Sequence, residues 1–363
     1  MKKILVLANN DVGLYKFRKE LIQELLKDND VYISLPYGKL VEPLIQMGCR
    51  FIYTPVDRRG INPITDLKLL NRYRKIIKDV KPDLVITYTI KPNIYGSLIA
   101  RMKHIDYAVN ITGLGTMFQS DNLLKRMIVF MYKTSLKKVK TVFFENVENK
   151  DIFIQNKIAE EDRVCVLNGA GVNLEEYPLT GYPEEDKEIR FLFIGRIMKE
   201  KGIDEFLYAA KKIKEENKDI QFDIVGPMED DYENIIKEYI DNDIINYYGY
   251  QEDVKAYIER CHCFVLPSYH EGMANTLLEA ASMGRPLITS NIHGCKEAIC
   301  NNGYLVKVKD KSDLYIKIKE FINLDHKNRV DMAKNSRKYI EQVFDKRLIV
   351  KKSLKELNLW LNH

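Results

Sequence analysis

The sequence predicts an α/β protein made of two doubly wound, Rossmann-like domains. Three observations carry that reading. Short apolar, β-rich runs alternate with amphipathic stretches along the chain, a pattern that requires parallel sheets covered by helices on both faces. The alternation stops once, in an acidic stretch from Glu175 to Glu188 that holds Pro178, Gly181 and Pro183 and has no hydrophobic period, and then restarts. At 363 residues the chain is long for one core and ample for two. The expected division is 1–180, 181–345 and a last helical segment, 346–363, that packs back on the first domain.

In the first half the expected strands are Ile4–Ala8, Val31–Leu35, Phe51–Pro55, Leu84–Tyr88, Tyr107–Ile111, Thr141–Phe144 and Val164–Leu167. Each is a short apolar run rich in Val, Ile, Phe or Tyr and bounded by polar residues, as a strand buried on both faces should be. Amphipathic segments such as Leu14–Lys27, Asp66–Lys78 and Asn93–Met102 supply helices between them. After the linker come strands at Arg190–Ile194, Gln221–Val225, Ile245–Tyr248, Cys263–Leu266, Pro286–Thr289 and Tyr304–Val306. Helices at Ile203–Lys214, Tyr232–Ile240, Val254–Arg260 and Ala274–Met283 separate them, and beyond Leu314 the chain reads as helical. Ligands on such sheets bind outside the carboxyl ends of the strands, so a cleft faced by both domains is the expected site.

Composition narrows the class. A hydrophobic fraction of 45% is ordinary for a globular protein, and no apolar run reaches the length of a membrane span. The first residues, Met1–Asn10, hold only a five-residue apolar core before polar residues resume, so they read as a strand and not as a signal peptide. A cytoplasmic protein is expected. The six cysteines fit that compartment as isolated thiols, and Cys261-x-Cys263 is too tightly spaced for a zinc pair. Residues 1–180 hold 28 Lys and Arg against 20 Asp and Glu, whereas the remainder is slightly acidic. A basic first half suits either an anionic partner (phosphate, nucleic acid or an acidic membrane surface) or simply a solvated lysine-rich surface.

The stretch with most chemical content is Ser268-Tyr269-His270-Glu271-Gly272-Met273-Ala274-Asn275-Thr276-Leu277-Leu278-Glu279-Ala280. A buried strand feeds a glycine-bearing turn and then a helix, whose first amides are unpaired and attract anions. Glu279, four or five residues into that helix, lies roughly 6–7 Å along its axis. A phosphate at the helix start therefore leaves its ribose near the Glu279 carboxylate, which suits a nucleoside diphosphate. Phe193–Ile203 forms a second loop at a strand end, where Gly195 permits a tight exit and Arg196 and Lys201 can neutralise a diphosphate.

These residues resemble the retaining glycosyltransferases of family four, which adopt the GT-B fold and include capsule, O-antigen and glycan-assembly enzymes. The matching motifs are Gly195-Arg196-x4-Lys201-Gly202, Val225-Gly226, Leu266-Pro267-Ser268, Glu271-x7-Glu279 with Gly284, Asp253-Val254, and Gly294 with Glu297. Lys91-Pro92-Asn93-Ile94-Tyr95-Gly96 and Thr112-Gly113-Leu114-Gly115 look like the capsular subgroup. The resemblance implies that Arg196 and Lys201 bind the diphosphate and stabilise the leaving group. It implies that Glu279 binds the ribose, and that Glu271, with the Gly272 and Met273 amides, holds the sugar and distal phosphate. Ala274 and Asn275 belong to the same donor turn. Gly13 would let the phosphate approach domain one, and Gly226, Pro227 and the Tyr250–Asp253 segment would line the base pocket.

One departure stands out. Many members carry a histidine after the fourth strand, but here that loop is Thr87-Tyr88-Thr89-Ile90-Lys91-Pro92-Asn93. Lys91 or Asn93 is the expected replacement contact, and His104 reads as a partly exposed structural residue. Arg58, Arg59 and Lys91 are candidates for an acceptor pyrophosphate. Asp28-Asn29-Asp30 and Asp241-Asn242-Asp243 match a metal-binding pattern but read as turns, so no metal or cofactor is expected. Two basic segments, Tyr15-Lys16-Phe17-Arg18-Lys19 and Leu123–Lys140, bear on the acceptor, and the second can lie on an anionic membrane as an amphipathic helix or serve as a core helix with a lysine-rich face.

The resemblance thus implies transfer of a sugar, first an N-acetylhexosamine, from a UDP-sugar to a polyprenyl-diphosphate-linked saccharide at the inner face of the cell membrane, with no nucleic-acid partner. The alternatives are a nucleotide-sugar epimerase of the same fold and a non-catalytic nucleotide-sugar-binding subunit. The basic Leu123–Lys140 stretch speaks against the first, and the intact Arg196, Lys201, Glu271 and Glu279 against the second.

Overall fold

The computed structural model describes residues 1–57, 60, 62–114, 123–184 and 188–359. It divides into two units, Met1–Ala170 with Arg347–His363, and Gly171–Lys346. Arg58, Arg59 and Gly115 lie outside the described residues.

The first unit is a seven-stranded parallel sheet. Its elements run β1 (Lys2–Leu7), α1 (Asp11–Asp28), β2 (Asn29–Leu35), α2 (Val41–Gln46), β3 (Arg50–Tyr53), α3 (Pro63–Val80), β4 (Leu84–Tyr88), α4 (Ser97–Met102), β5 (Asp106–Ile111), α5 (Leu123–Ser135), β6 (Thr141–Phe144), α6 (Val147–Gln155) and β7 (Val164–Val166). The strand order is β3-β2-β1-β4-β5-β6-β7. Side chains alternate across β1, so Ile4 and Val6 enter one core and Leu5 and Leu7 the other. The expected helix from Asn93 to Met102 begins instead as a π-helical turn, Pro92–Gly96, that runs directly into α4. Two helices escape the periodicity reading. α2 is short and contains Pro43, and α6 is weakly amphipathic, its start marked by the Asn146 side chain capping the Asn149 N–H.

The second unit repeats the plan. It comprises β8 (Arg190–Ile194), α7 (Ile203–Glu216), β9 (Gln221–Val225), α8 (Glu233–Asp241), β10 (Asn246–Tyr247), α9 (Lys255–Arg260), β11 (Cys263–Leu266), α10 (Asn275–Ser282), β12 (Leu287–Ser290), β13 (Gly303–Val306), α11 (Lys311–Ile322) and α12 (His326–Val343). The order β10-β9-β8-β11-β12-β13 again places its reversal next to the first strand. The crevice of this sheet therefore opens where β8 and β11 end side by side.

The chain joins the second unit at Gly171, ahead of the expected 180. Val172 N–H donates to Phe344 O and Lys346 N–H donates to Val172 O. Further along, Ser282 Oγ donates to Tyr177 O, and the buried Arg285 guanidinium donates to Thr180 Oγ1 and Gly181 O. These bonds tie 171–181 to the second sheet's helices. The last helix, α13 (Lys346–Glu356), sends Ile349, Val350 and Leu354 into the first unit's core, the same cluster that holds Leu21, Ile22 and Leu25 of α1, and Leu357 follows just past its end.

Candidate active site

Glycines bring the second unit's strand-end loops into backbone contact. Gly226 has φ of +146°, and a Cβ there would lie 1.8 Å from Gly195 O. The exit loops of β8 and β9 therefore run against each other, with Gly195 N–H donating to Val225 O and Ile197 N–H to Pro227 O. Gly202, at φ of +75°, plays the same part toward β11: a Cβ would lie 2.1 Å from Pro267 O. Tyr269 N–H donates to Glu200 O at 2.9 Å, closing that junction.

The junction sets the charges. Lys201 Nζ lies 2.5 Å from Glu271 Oε1, with both side chains largely buried. Ser268 Oγ donates to the same oxygen at 2.8 Å. A carboxylate held by an ammonium and a hydroxyl is oriented without needing bulk water. Arg196, on the same loop as Lys201, is 46% exposed and pairs with Glu229 Oε1 at 3.3 Å. The structure therefore joins Lys201 to Glu271 but turns Arg196 toward the β9 exit loop.

The donor turn leads into α10 one residue later than expected. Ala274 is the cap, and its N–H is already donated to Gly294 O at 2.8 Å, so that amide is committed within the protein. Met273 and Ala274 are buried, Gly272 and Asn275 partly so. Asn275 Oδ1 is buried without a hydrogen-bond partner among the described residues. Glu279 is the fifth residue of α10. Tyr177 stands beside it: burial, then the negative charge of Glu279, push the phenol's pKa above its ordinary value.

Candidates in the first unit fare differently. Gly13 is inside the first turn of α1, not in the preceding loop, and its N–H is taken by the Asn10 cap at 2.6 Å. The helix opens at Asp11 because Asn10 is a good N-cap, a signal outside the apolar period that set the expected start at Leu14. Lys91 Nζ is paired with Asp66 Oδ1 at 2.7 Å, and Tyr95 OH donates to the other oxygen at 2.9 Å. Asn93 is 1% exposed and its amide donates to Asn110 O, so it braces the sheet instead of facing solvent. Thr89, just past β4, takes φ of +71°, a costly conformation for a β-branched residue. His104 is exposed, with φ of +56°.

The basic segments also separate. Arg18 is buried, bonds Glu145 at 2.7 Å and packs over Tyr88, which removes it from any outward patch. α5 buries Ile128 and Tyr132 but leaves Leu123, Met127 and Phe130 exposed with Arg126 and Lys133, and Lys137 is exposed in the turn just beyond it. A groove of ≈ 450 Å³ runs there, lined by Lys125, Arg126, Val129, Phe130, Lys133 and Asn156. Among the described residues no helix is long and apolar enough to cross a membrane. Of the acidic triplets, Asp30 pairs with Arg50 while Asp243 takes φ of +54° in a helix-end turn.

Residues 181–339 match the family described as glycosyl transferases group 1, and residues 3–146 match glycosyl transferase 4-like. Both halves of the chain thus carry glycosyltransferase domains. The chain is 29% identical over 370 residues to the N,N'-diacetylbacillosaminyl-diphospho-undecaprenol alpha-1,3-N-acetylgalactosaminyltransferase of Campylobacter jejuni, covering 96% of each. It is 29% identical to the UDP-Gal:alpha-D-GlcNAc-diphosphoundecaprenol alpha-1,3-galactosyltransferase of Escherichia coli, over 86% of this chain and 84% of that one. The capsular polysaccharide biosynthesis glycosyltransferase CapM of Staphylococcus aureus is 24% identical over 95% and 93%. Among solved structures, Anabaena Alr3699/HepE with UDP and glucose superposes with a TM-score of 0.80 at 16% identity, covering 99% of this chain and all of that one. The fold is thus the expected GT-B type.

Sequence reasoning did not pair several candidate residues of either unit with the neighbours the structure gives them. Glu229 holds Arg196, Ser268 shares Glu271, Tyr177 borders Glu279 and Asp66 neutralises Lys91. Ser268 belongs to the Leu266-Pro267-Ser268 motif, and its spacing of three residues from Glu271 within one turn is the one local pattern that points to such a bond. The others come from distant segments.

Proposed function

We propose that the protein transfers a sugar, first an N-acetylhexosamine, from a UDP-sugar to a polyprenyl-diphosphate-linked saccharide, with retention of configuration and without a metal ion. The observation that carries this reading is Lys201 against Glu271 where β8 and β11 end together. A cation and a carboxylate fixed on adjoining strand ends suit a ligand that is anionic at one end and hydroxylated at the other. The names of two relatives support the acceptor class, since each specifies a diphospho-undecaprenol saccharide, and one specifies a UDP-sugar.

In this reading Glu279 accepts hydrogen bonds from the ribose, while Arg196 and Lys201 face the diphosphate. Gly195, Gly226 and Pro227 give the nucleotide close approach to backbone. When the anomeric carbon–oxygen bond breaks, negative charge grows on the leaving phosphate. Preoriented cations stabilise it without reorganising. A diphosphate reaching Lys201 draws the ammonium away from Glu271, and Ser268 keeps that carboxylate in place to meet the sugar. The leaving phosphate oxygen takes the acceptor hydroxyl's proton on the same face, so the new bond keeps the old configuration. Lys91, with Asp66 and Tyr95, is the described first-unit group suited to an acceptor phosphate. The exposed face of α5 rests on anionic lipid at the membrane's inner surface, its apolar side chains inserted and its cations among headgroups.

The test is UDP release from a panel of UDP-sugars, with and without lipid-linked acceptor. Release should require lipid, persist in EDTA, and fall about a hundredfold in folded K201A, with losses in R196A and E279A as well. Unchanged turnover in all three variants removes the site. An epimerised sugar formed without lipid points to an isomerase, and no release at all to a binding subunit.

A further inference from the structure

The exit turn of β12 is built onto the donor turn. Gly294 has φ of +87°, and a Cβ there would lie 2.7 Å from both Glu271 O and Gly272 O. Its carbonyl receives the Ala274 N–H. The two turns therefore share a backbone interface just where Glu271 leaves the chain.

One carboxylate fixes that interface. Glu297 Oε2 accepts Gly294 N–H at 2.7 Å, and Oε1 is 2.7 Å from His293 Nδ1. Lys296 Nζ lies 3.2 Å from His293 Nε2. An ammonium can only donate, so Nε2 accepts and the ring proton is on Nδ1, pointing at Glu297. From α12, Tyr339 OH donates to Glu297 O at 3.0 Å and anchors the residue itself. Every bond in the chain Lys296 to His293 to Glu297 thus has a set direction. The helix beyond the turn is anchored separately, by the buried Leu277, Leu278, Ala280 and Ala281.

We propose that Glu297 is a positioning residue for sugar transfer, holding, through His293 and Gly294, the turn that carries Glu271. The inference rests on the donor-site reading above. A turn released by about 1 Å misplaces Glu271 against the sugar while α10 and its Glu279 stay put, and displacements of that size cost about a hundredfold in rate.

The experiment compares E297Q, H293A and H293N with wild type. An amide at 297 can accept one of the two bonds but not both. E297Q is expected to lower kcat about 10- to 100-fold at saturating donor, with the Kd for UDP within threefold of wild type. H293A should lose a smaller factor, and H293N, whose amide can donate where Nδ1–H does, should recover to within twofold. Hydrogen exchange at the Ala274 amide should quicken in E297Q with no substrate present, while Leu278–Ser282 stay protected. Wild-type kcat and Ala274 exchange in E297Q overturn the proposal. So does a kcat loss matched by equal loss of UDP binding and of protection throughout α10, which marks general unfolding. Should E297Q not accumulate, the His293 pair decides, with H293N no better than H293A counting against it. A wild type that never releases UDP defeats the transfer reading, while the exchange arm still judges the clamp.

Discussion

Gly202→Ala tests the contact on which the site depends. Two costs follow from the geometry. The backbone φ of +75° carries a penalty of about 1 kcal/mol for an L-residue with a Cβ. The new methyl would lie 2.1 Å from Pro267 O, a backbone atom that cannot swing aside. Relief therefore requires the Lys199–Gly202 turn and the Pro267–Tyr269 segment to part by about 1 Å, which separates Lys201 from Glu271 and strains the Tyr269 N–H to Glu200 O bond. A stability loss of about 1–3 kcal/mol is expected, together with about a hundredfold loss of UDP release. Gly249→Ala separates the two costs. Its φ is +64°, but nothing lies within 4 Å of the added Cβ, so it should carry the backbone penalty alone. Denaturant unfolding gives stability, and lipid-dependent UDP release under matched conditions gives function. If G202A turns over within threefold of wild type, the claim that loop docking sets the Lys201–Glu271 geometry is refuted.

Two further outcomes follow from the rest of the molecule. Burial depresses the pKa of His262 to about 4, and its Nδ1 accepts the Arg190 N–H, so the folded ring stays neutral where an unfolded one would be charged. The unfolded state then binds more protons between about pH 6.5 and 4, and stability should fall on acidifying through that window, by at most about 3 kcal/mol. H262N should lack this part of the acid loss in urea titrations at pH 7 and 4.5; an identical drop in both proteins would exclude His262 as its source. On α5 and the turn that follows it, removing three cations in R126A/K133A/K137A should weaken sedimentation with vesicles containing anionic lipid about a hundredfold, at about 1 kcal/mol per charge. Equal sedimentation of variant and wild type would refute the α5 membrane face.

Much of the architecture was legible because a parallel sheet buries its strands on both faces. Leu84–Tyr88, Thr141–Phe144, Arg190–Ile194, Gln221–Val225 and Cys263–Leu266 appear as strands with the boundaries expected from their apolar runs. What periodicity did not reveal was capping and local geometry. Asn10 moves Gly13 into α1, and the π-helical turn at Pro92–Gly96 accompanies Asn93 facing inward and Lys91 meeting Asp66.

By itself the sequence determined the residue types of the site and the strand-loop-helix order that puts each at a carboxyl edge, since these depend on local pattern. Which charges meet was decided only in three dimensions. Lys201 and Glu271 are 70 residues apart, and Arg196 and Glu229 come from the ends of different strands. Their pairing depends on strand order, on glycines that let backbones touch, and on which carboxylate lies nearest each cation. Those are long-range properties, and no window of the chain contains them.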